Sequence, residues 1–190
     1  MDFIKEALKE SSEIKLKMAE NLSEKIESLI RLMVEAIRKN KKILLMGNGG
    51  SAADAQHFEA ELVGRYKLER EAIPAISLNT NTSSITAIGN DYSFDRIFSR
   101  QVEAFGEEGD ILIGISTSGL SENLIRAFET AGKRGLKTVA LLGKGGGKVK
   151  DMVDFPLVVP SDNTPRIQEA HITIIHILCE EIERRIEQKD

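Results

Sequence analysis

Scarcity is the first property of this chain. Its 190 residues hold one Cys, no Trp, three His and four Pro, and aromatic residues make up only 5%. One Cys excludes an intrachain disulfide framework and leaves no CxxC or Cys/His finger spacing to write, as expected of an intracellular protein. So few aromatics leave little for base-stacking platforms. The formal charge is −4 with both signs mixed along the chain, which argues against a generic nucleic-acid binder and against a polybasic membrane anchor. No apolar run approaches the ~20 residues needed to span a bilayer. The opening MDFIKEALKESSEIK has no uninterrupted apolar stretch and no small-residue cleavage site. The expectation is a soluble, cytoplasmic protein with neither nucleic-acid nor membrane partners. Its length suits one ordinary domain whose core needs no staple. With three His in total, any metal or acid–base site has few candidates.

What is present alternates. Residues 1 to about 40 read as helix, because Leu22, Ile26, Leu29, Ile30, Met33, Val34 and Ile37 recur at helical spacing between charged residues. Ile43–Met46 is a continuous apolar run ended by Gly47-Asn48-Gly49-Gly50, the pattern of a strand buried on both faces. A helix follows from Ser51 to about Arg65, then a strand over Ala72–Leu78 and helices over Ser83–Ile88 and Asp95–Phe105. Ile111–Ile115, Lys137–Leu142 and Phe155–Val159 read as strands, with Ser121–Lys133 as a helix between the first two. Pro160 to Pro165 is a turn-rich connection into a last helix, Arg166–Glu187. Strands separated by helices imply a parallel sheet covered on both faces, an α/β three-layer sandwich. No linker divides residues 1–190, so one domain is expected. In Ile172–Cys179 apolar residues nearly surround the last helix. That pattern predicts burial on all sides, by other subunits or at the centre of the core.

Two loops are suited to anions. Gly47-Asn48-Gly49-Gly50-Ser51-Ala52 joins a strand to a helix, where free N–H groups and the helix dipole favour negative charge. Its G-x-G-x-x-A spacing invites a dinucleotide reading, but the next strand ends in Leu78-Asn79-Thr80-Asn81 and offers no carboxylate for a ribose. Ser116-Thr117-Ser118-Gly119-Leu120-Ser121 places four hydroxyls in six residues at another strand-to-helix junction. Helix capping accounts for one of them; the set suits a phosphate monoester. Gly143-Lys144-Gly145-Gly146-Gly147-Lys148 fails as a Walker A loop, because its spacing is short and Val149 stands where Ser or Thr would hold magnesium. A flexible loop is expected there instead.

Candidate chemistry is sparse. His57 and Glu61 lie four apart, one turn along one helix face. That spacing serves a shared metal or an acid–base pair, and equally an ordinary surface pair. His176 interrupts an apolar stretch and needs a polar partner. His171, five residues earlier, points roughly 140° away from it. Gln168 and His176 are separated by about 12 Å of helix axis, so one straight helix strains to bring both to one centre. A site built between subunits relieves that strain.

GNGGSAADAQHF, AELVGRY, AIGNDYSFDRIFSRQVEAFG, GDILIGISTSGLSENL and RIQEAHITIIHILCE together strongly resemble the phosphoheptose (sedoheptulose-7-phosphate) isomerases of the sugar-isomerase (SIS) domain superfamily. The resemblance runs over nearly the whole chain. It implies a flavodoxin-like parallel sheet with long N- and C-terminal helices, the N-terminal one packing in a homotetramer with active sites between subunits. It also implies conversion of sedoheptulose 7-phosphate to D-glycero-D-manno-heptose 7-phosphate, an early step toward heptose for bacterial surface glycans such as lipopolysaccharide. The residues matching the family's zinc ligands are His57, Glu61, Gln168 and His176, with Glu61 and His176 as the acid–base pair. Asn48, Gly49, Gly50, Asn90 and Asp91 match substrate contacts, as do Ser116, Thr117, Ser118 and Ser121 of the serine-rich loop, with Ser51 a further contact. His57, Glu61 and Gln168 also face the substrate by this resemblance. The nearest family of another class is a non-enzymatic SIS-domain protein that binds the replication initiator and lacks the counterparts of Glu61 and His176. This chain keeps both. A third alternative is another sugar-phosphate isomerase of the same superfamily.

Overall fold

The computed structural model describes residues 2–188. Its elements are α1 (Asp2–Arg38), β1 (Ile43–Gly47), α2 (Gly50–Val63), β2 (Ala75–Ser77), α3 (Thr82–Asp91), α4 (Ser99–Phe105), β3 (Ile111–Ser116), α5 (Glu122–Lys133), β4 (Lys137–Leu142), β5 (Phe155–Val158) and α6 (Thr164–Glu187). Short 3₁₀ turns occupy Phe94–Arg96, Lys144–Gly146 and Val149–Asp151. The strands form one parallel sheet in the order β2-β1-β3-β4-β5. This is the flavodoxin-like order, and it changes direction between β1 and β3. Ligands of such sheets bind outside the strand carboxyl ends at that switch point. The glycine loop after β1 and the serine loop after β3 both emerge there.

Alternation along the strands builds two cores. Ile43 and Leu45 of β1, Ile111, Ile113 and Ile115 of β3, and Val139 and Leu141 of β4 pack with α1, α2 and α6 on one face. Leu44, Met46, Leu112, Ala140 and Leu142 face the other way onto α4 and α5. Both faces are covered, which is why these strands read as unbroken apolar runs. On α1 Ile14, Met18, Leu22, Ile26, Leu29, Ile30, Met33 and Val34 are buried, whereas Phe3, Ile4, Leu8 and Leu16 stay exposed. Among the described residues no helix is long and apolar enough to cross a membrane.

Four expectations change in detail. The strand expected over Ala72–Leu78 shrinks to three residues, because Pro74 lacks an N–H to extend the ladder at this sheet edge. The helix expected over Asp95–Phe105 breaks into a 3₁₀ turn and α4. There the Gln101 side-chain amide donates to the Ile97 and Leu78 carbonyls (2.8 and 2.9 Å), competing for a helical acceptor. The Gly143–Lys148 segment is folded into turns and packs on the serine loop: a Cβ at Gly119 would strike the Gly146 carbonyl. Val149 is fully buried and donates its N–H to the Gly119 carbonyl (3.1 Å), so its side chain is a packing residue. Lastly, α6 is not enclosed on all sides within one chain. The sheet, α1 and α2 cover Ile174, Ile175 and Leu178, while Ile177 remains 40% exposed.

His171 is fully buried on the sheet side of α6. Its Nε2 lies 3.1 Å from the Leu142 carbonyl oxygen and so donates to it, and its Nδ1 is buried without a partner. Burial pushes its pKa down to about 4, against the opposing pull of that carbonyl. An unfolded histidine titrates near ~6.5, so below that pH the unfolded chain takes up a proton that the fold refuses. The resulting stability is complete above pH ~6.5 and is lost as pH falls toward 4, in all about 3 kcal/mol. Urea unfolding of wild type and His171→Leu at several pH values tests this. The variant is expected to lack that part of the decline; parallel curves refute it.

Candidate active site

The first loop is shaped by what glycine permits. A Cβ on Gly47 would overlap the Ser51 backbone, so only glycine lets α2 begin this close to β1. Gly49 takes φ +58° at the helix start, where no side chain caps the free N–H groups. Asn79 holds the turn from the neighbouring strand end: its Oδ1 accepts from Gly47 N (3.2 Å) and its Nδ2 donates to Gly47 O (2.8 Å). Where a dinucleotide fold carries a ribose-binding acid, this chain has an amide completing a backbone pair. Asn48 exchanges two hydrogen bonds with buried Asn123 of α5 (3.0 and 2.9 Å), tying the first loop to the helix that follows the second.

In the second loop Ser116 Oγ accepts from Gly119 N (3.0 Å) and Ser118 Oγ from Leu120 N (3.3 Å). Ser121 precedes α5 but makes no side-chain cap. Its hydroxyl is left for something else, which favours the anion reading over capping. Asn48, Ser51, Ile115, Ser116, Thr117, Ser118, Ser121 and Gln168 line a cavity of about 100 Å³ between the two uncapped helix starts. None of these side chains carries a formal charge. An anion here is held by hydroxyls, amides and helix termini. A larger cavity, about 540 Å³ between Arg31 and Gln188, lies away from both loops.

The second half of the site lies farther along α2 and α6. His57 Nε2 stands 3.3 Å from Glu61 Oε1 and 3.1 Å from His176 Nε2. With no ion between them, such facing nitrogens need one donor and one acceptor. His176, expected to need a partner, has found His57 and the ring of Tyr66 (centroids 5.5 Å apart, 30° between planes). Asp54, one turn before His57, has its carboxyl raised above the usual range by burial, with His57 pulling the other way.

Gln168 does not join this cluster. Its side-chain amide lies against Gly50, where any Cβ would strike it, so it belongs to the serine cavity. Within one chain the four candidate ligands therefore separate into a trio and a lone Gln168. Asn90 and Asp91 end α3, exposed and bonded to each other (2.9 Å), away from both the cavity and the trio. A metal fits the trio in part. Zn–N bonds of ~2.0–2.1 Å make tetrahedral edges of about 3.3 Å, close to the two spacings at His57. Among the described residues, however, no group of three or more His, Cys, Asp or Glu forms a ready metal site. The trio supplies two edges of such a tetrahedron.

Sequence reasoning missed Asn79, Asn123, Tyr66, Arg70 and Glu183. Asn123 and Asn79 act by pairing with residues 75 and 32 positions away, a relation that no local pattern announces.

The position of Gln168 gives a test. Gly50→Ala must displace the far end of a flexible side chain, which costs the fold little. Melting temperature is expected to stay within about 3 °C, while inorganic phosphate binding weakens about tenfold as Gln168 leaves its place. Calorimetric titration measures the second; unchanged phosphate affinity would refute the assignment.

Comparison with known proteins gives the family. The SIS domain family model matches residues 8–143. The phosphoheptose isomerase of Geobacter sp. (strain M21) is 58% identical over 186 residues, covering 98% of this chain and 97% of that protein. That of Helicobacter pylori (strain P12) is 54% identical, covering 98% and 93%. The solved phosphoheptose isomerase of Neisseria gonorrhoeae superposes with TM-score 0.92 at 44% identity, covering 96% of this chain and 98% of that one. The chain belongs to the SIS-domain family and, within it, to the phosphoheptose isomerases.

Proposed function

We propose that the chain interconverts sedoheptulose 7-phosphate and D-glycero-D-manno-heptose 7-phosphate through an enediol. The observation that carries this reading is the pairing of an uncharged hydroxyl cavity at the starts of α2 and α5 with a trio farther along α2 and α6. Gly50 and His57 are separated by about 10 Å of helix axis. An open seven-carbon sugar with bonds of ~1.5 Å spans roughly 10 Å from C1 to its phosphorus. A phosphate held by Ser51, Ser116, Thr117, Ser118, Ser121 and the amides near Asn48, Gly49 and Gly50 then leaves C1 and C2 within reach of the trio.

Moving a proton between C1 and C2 takes a base beside both carbons and a partner for the oxygens. Glu61 is the carboxylate, with Oε1 turned to His57 and Oε2 left for the carbon-bound proton. His176 serves the oxygens. His57, Glu61, Gln168 and His176 would hold zinc, Gln168 by turning from its place beside Gly50. When bound, the ion supplies Lewis-acid polarisation of the carbonyl. The assembly is a homotetramer in the cytoplasm, in which exposed Phe3, Ile4 and Leu8 of α1 are covered and Asn90 and Asp91 meet a neighbour's substrate. Its product feeds heptose for surface glycans.

Incubation of the protein with sedoheptulose 7-phosphate, followed by NMR, is expected to yield heptose 7-phosphate. Absence of turnover with and without added zinc would sink the reading, and a pure binding module would show that result. Glu61→Gln and His176→Gln are each expected to lower kcat by at least ~10²-fold with the oligomer intact. Near-normal turnover in either would remove it from the acid–base pair. Chelation should abolish turnover and zinc should restore it; indifference to the chelator would discard the metal.

A further inference from the structure

Between α2 and β2 the chain runs irregularly past a buried ion pair. Glu183 of α6 and Arg70 have side chains only 1% exposed, with Arg70 Nε 3.1 Å from Glu183 Oε1. The same carboxylate accepts three consecutive backbone N–H groups, from Tyr66 (2.6 Å), Lys67 (2.8 Å) and Leu68 (3.0 Å). Burial pushes the Glu183 pKa up, but these donors and Arg70 outweigh it and hold the carboxyl below its usual range. The Arg70 guanidinium in turn donates to the carbonyls of Glu61 (2.7 Å) and Leu62 (2.8 Å), acceptors in the last turn of α2. A buried charge pair is a costly way to shape a surface loop. Its placement shows what it secures. Glu183 lies seven residues after His176, two turns along one face of α6. From that anchor the Tyr66 backbone is clamped at one end while its ring lies on the His176 imidazole. Lys67, ion-paired with Glu180 (2.8 Å), closes the outer side of the ring at 5.4 Å.

We propose that Tyr66 is a positioning residue for His176: its ring, held by the buried Glu183–Arg70 pair, keeps the imidazole facing His57 and Glu61. The kinetic part rests on the isomerase reading above; the geometric part does not. The ring contact carries the effect and the hydroxyl does not, so phenylalanine should replace tyrosine and alanine should not. Tyr66 is only half-buried, so the alanine variant is expected to fold, and Tyr66→Leu provides a second ring-free variant. In Tyr66→Ala and Tyr66→Leu, kcat should fall about tenfold to a hundredfold, the scale expected when a reacting group is misplaced by ~1 Å, with KM within about twofold. Tyr66→Phe should keep wild-type kcat. The second readout needs no turnover: the imidazole NMR signals of His57 at fixed pH. Tyr66 does not touch His57, so those signals should move in the alanine and leucine variants only if His176 has lost its place, and should stay in Tyr66→Phe. Ring-free variants with unchanged His57 signals and unchanged kcat would overturn the proposal, as would equal losses in all three variants. If wild type shows no turnover, the isomerase reading fails and the His57 signals alone decide the positioning role.

Discussion

Everything at this site depends on α2 and α6 running side by side in the same direction and in step. The match is visible at three levels: Gly50 against Gln168, His57 against His176, and the Tyr66–Leu68 backbone against Glu183. From the first level to the second both helices advance about two turns, and at the third the segment that follows α2 meets α6 about two turns farther on. The absence of a side chain at Gly50 sets the spacing at the start, and the buried carboxylate fixes it at the end. Between them the imidazoles have little freedom to be anywhere else. A rotation of either helix would separate His57 from His176 and tilt Gln168 out of its cavity together. Anion recognition and proton chemistry are thus positioned by a single packing decision, which the parallel sheet makes by placing both helices on one face.

A chain of net charge −4 looks poorly suited to an anionic substrate. The cavity resolves this without any lysine or arginine. Two helix starts left without side-chain caps aim partial positive charge and free N–H groups at one point, and the serine hydroxyls supply donors that turn to suit. Asn48 and Asn123 lock the two loops together, so their donors are pre-arranged before anything binds. Neutral donors carry a further advantage. A cationic side chain at that spot would compete for Glu61 or lower the basicity that proton abstraction needs.

How much of this was legible beforehand follows from the range of the interactions. Ile43–Met46 and Ile111–Ile115 announced themselves as doubly buried strands because both faces impose the same demand, and the periodicity of α1 matched its buried face. The β2 strand was overdrawn because one proline on a sheet edge outweighs the apolar residues around it. His57 and Glu61 were legible through their i, i+4 spacing, and the serine loop through its hydroxyl density. The Glu183–Arg70 pair was invisible, since its partners lie 113 positions apart and each residue alone reads as a solvated charge. Tyr66 was equally silent, because its role is defined only by the ring it meets.

The three histidines show how a single helix divides labour. His171 and His176 share α6, but five residues turn them to opposite surroundings. His171 faces the sheet, donates a hydrogen bond to the Leu142 carbonyl and is kept neutral by burial. His176 faces α2 at the protein surface and meets His57. Gln168 lies eight residues before His176, with about 12 Å of axial rise between them and its amide committed beside Gly50. One helix thus serves three tasks: Gln168 completes the anion cavity, His171 is held against the sheet, and His176 meets His57 of α2.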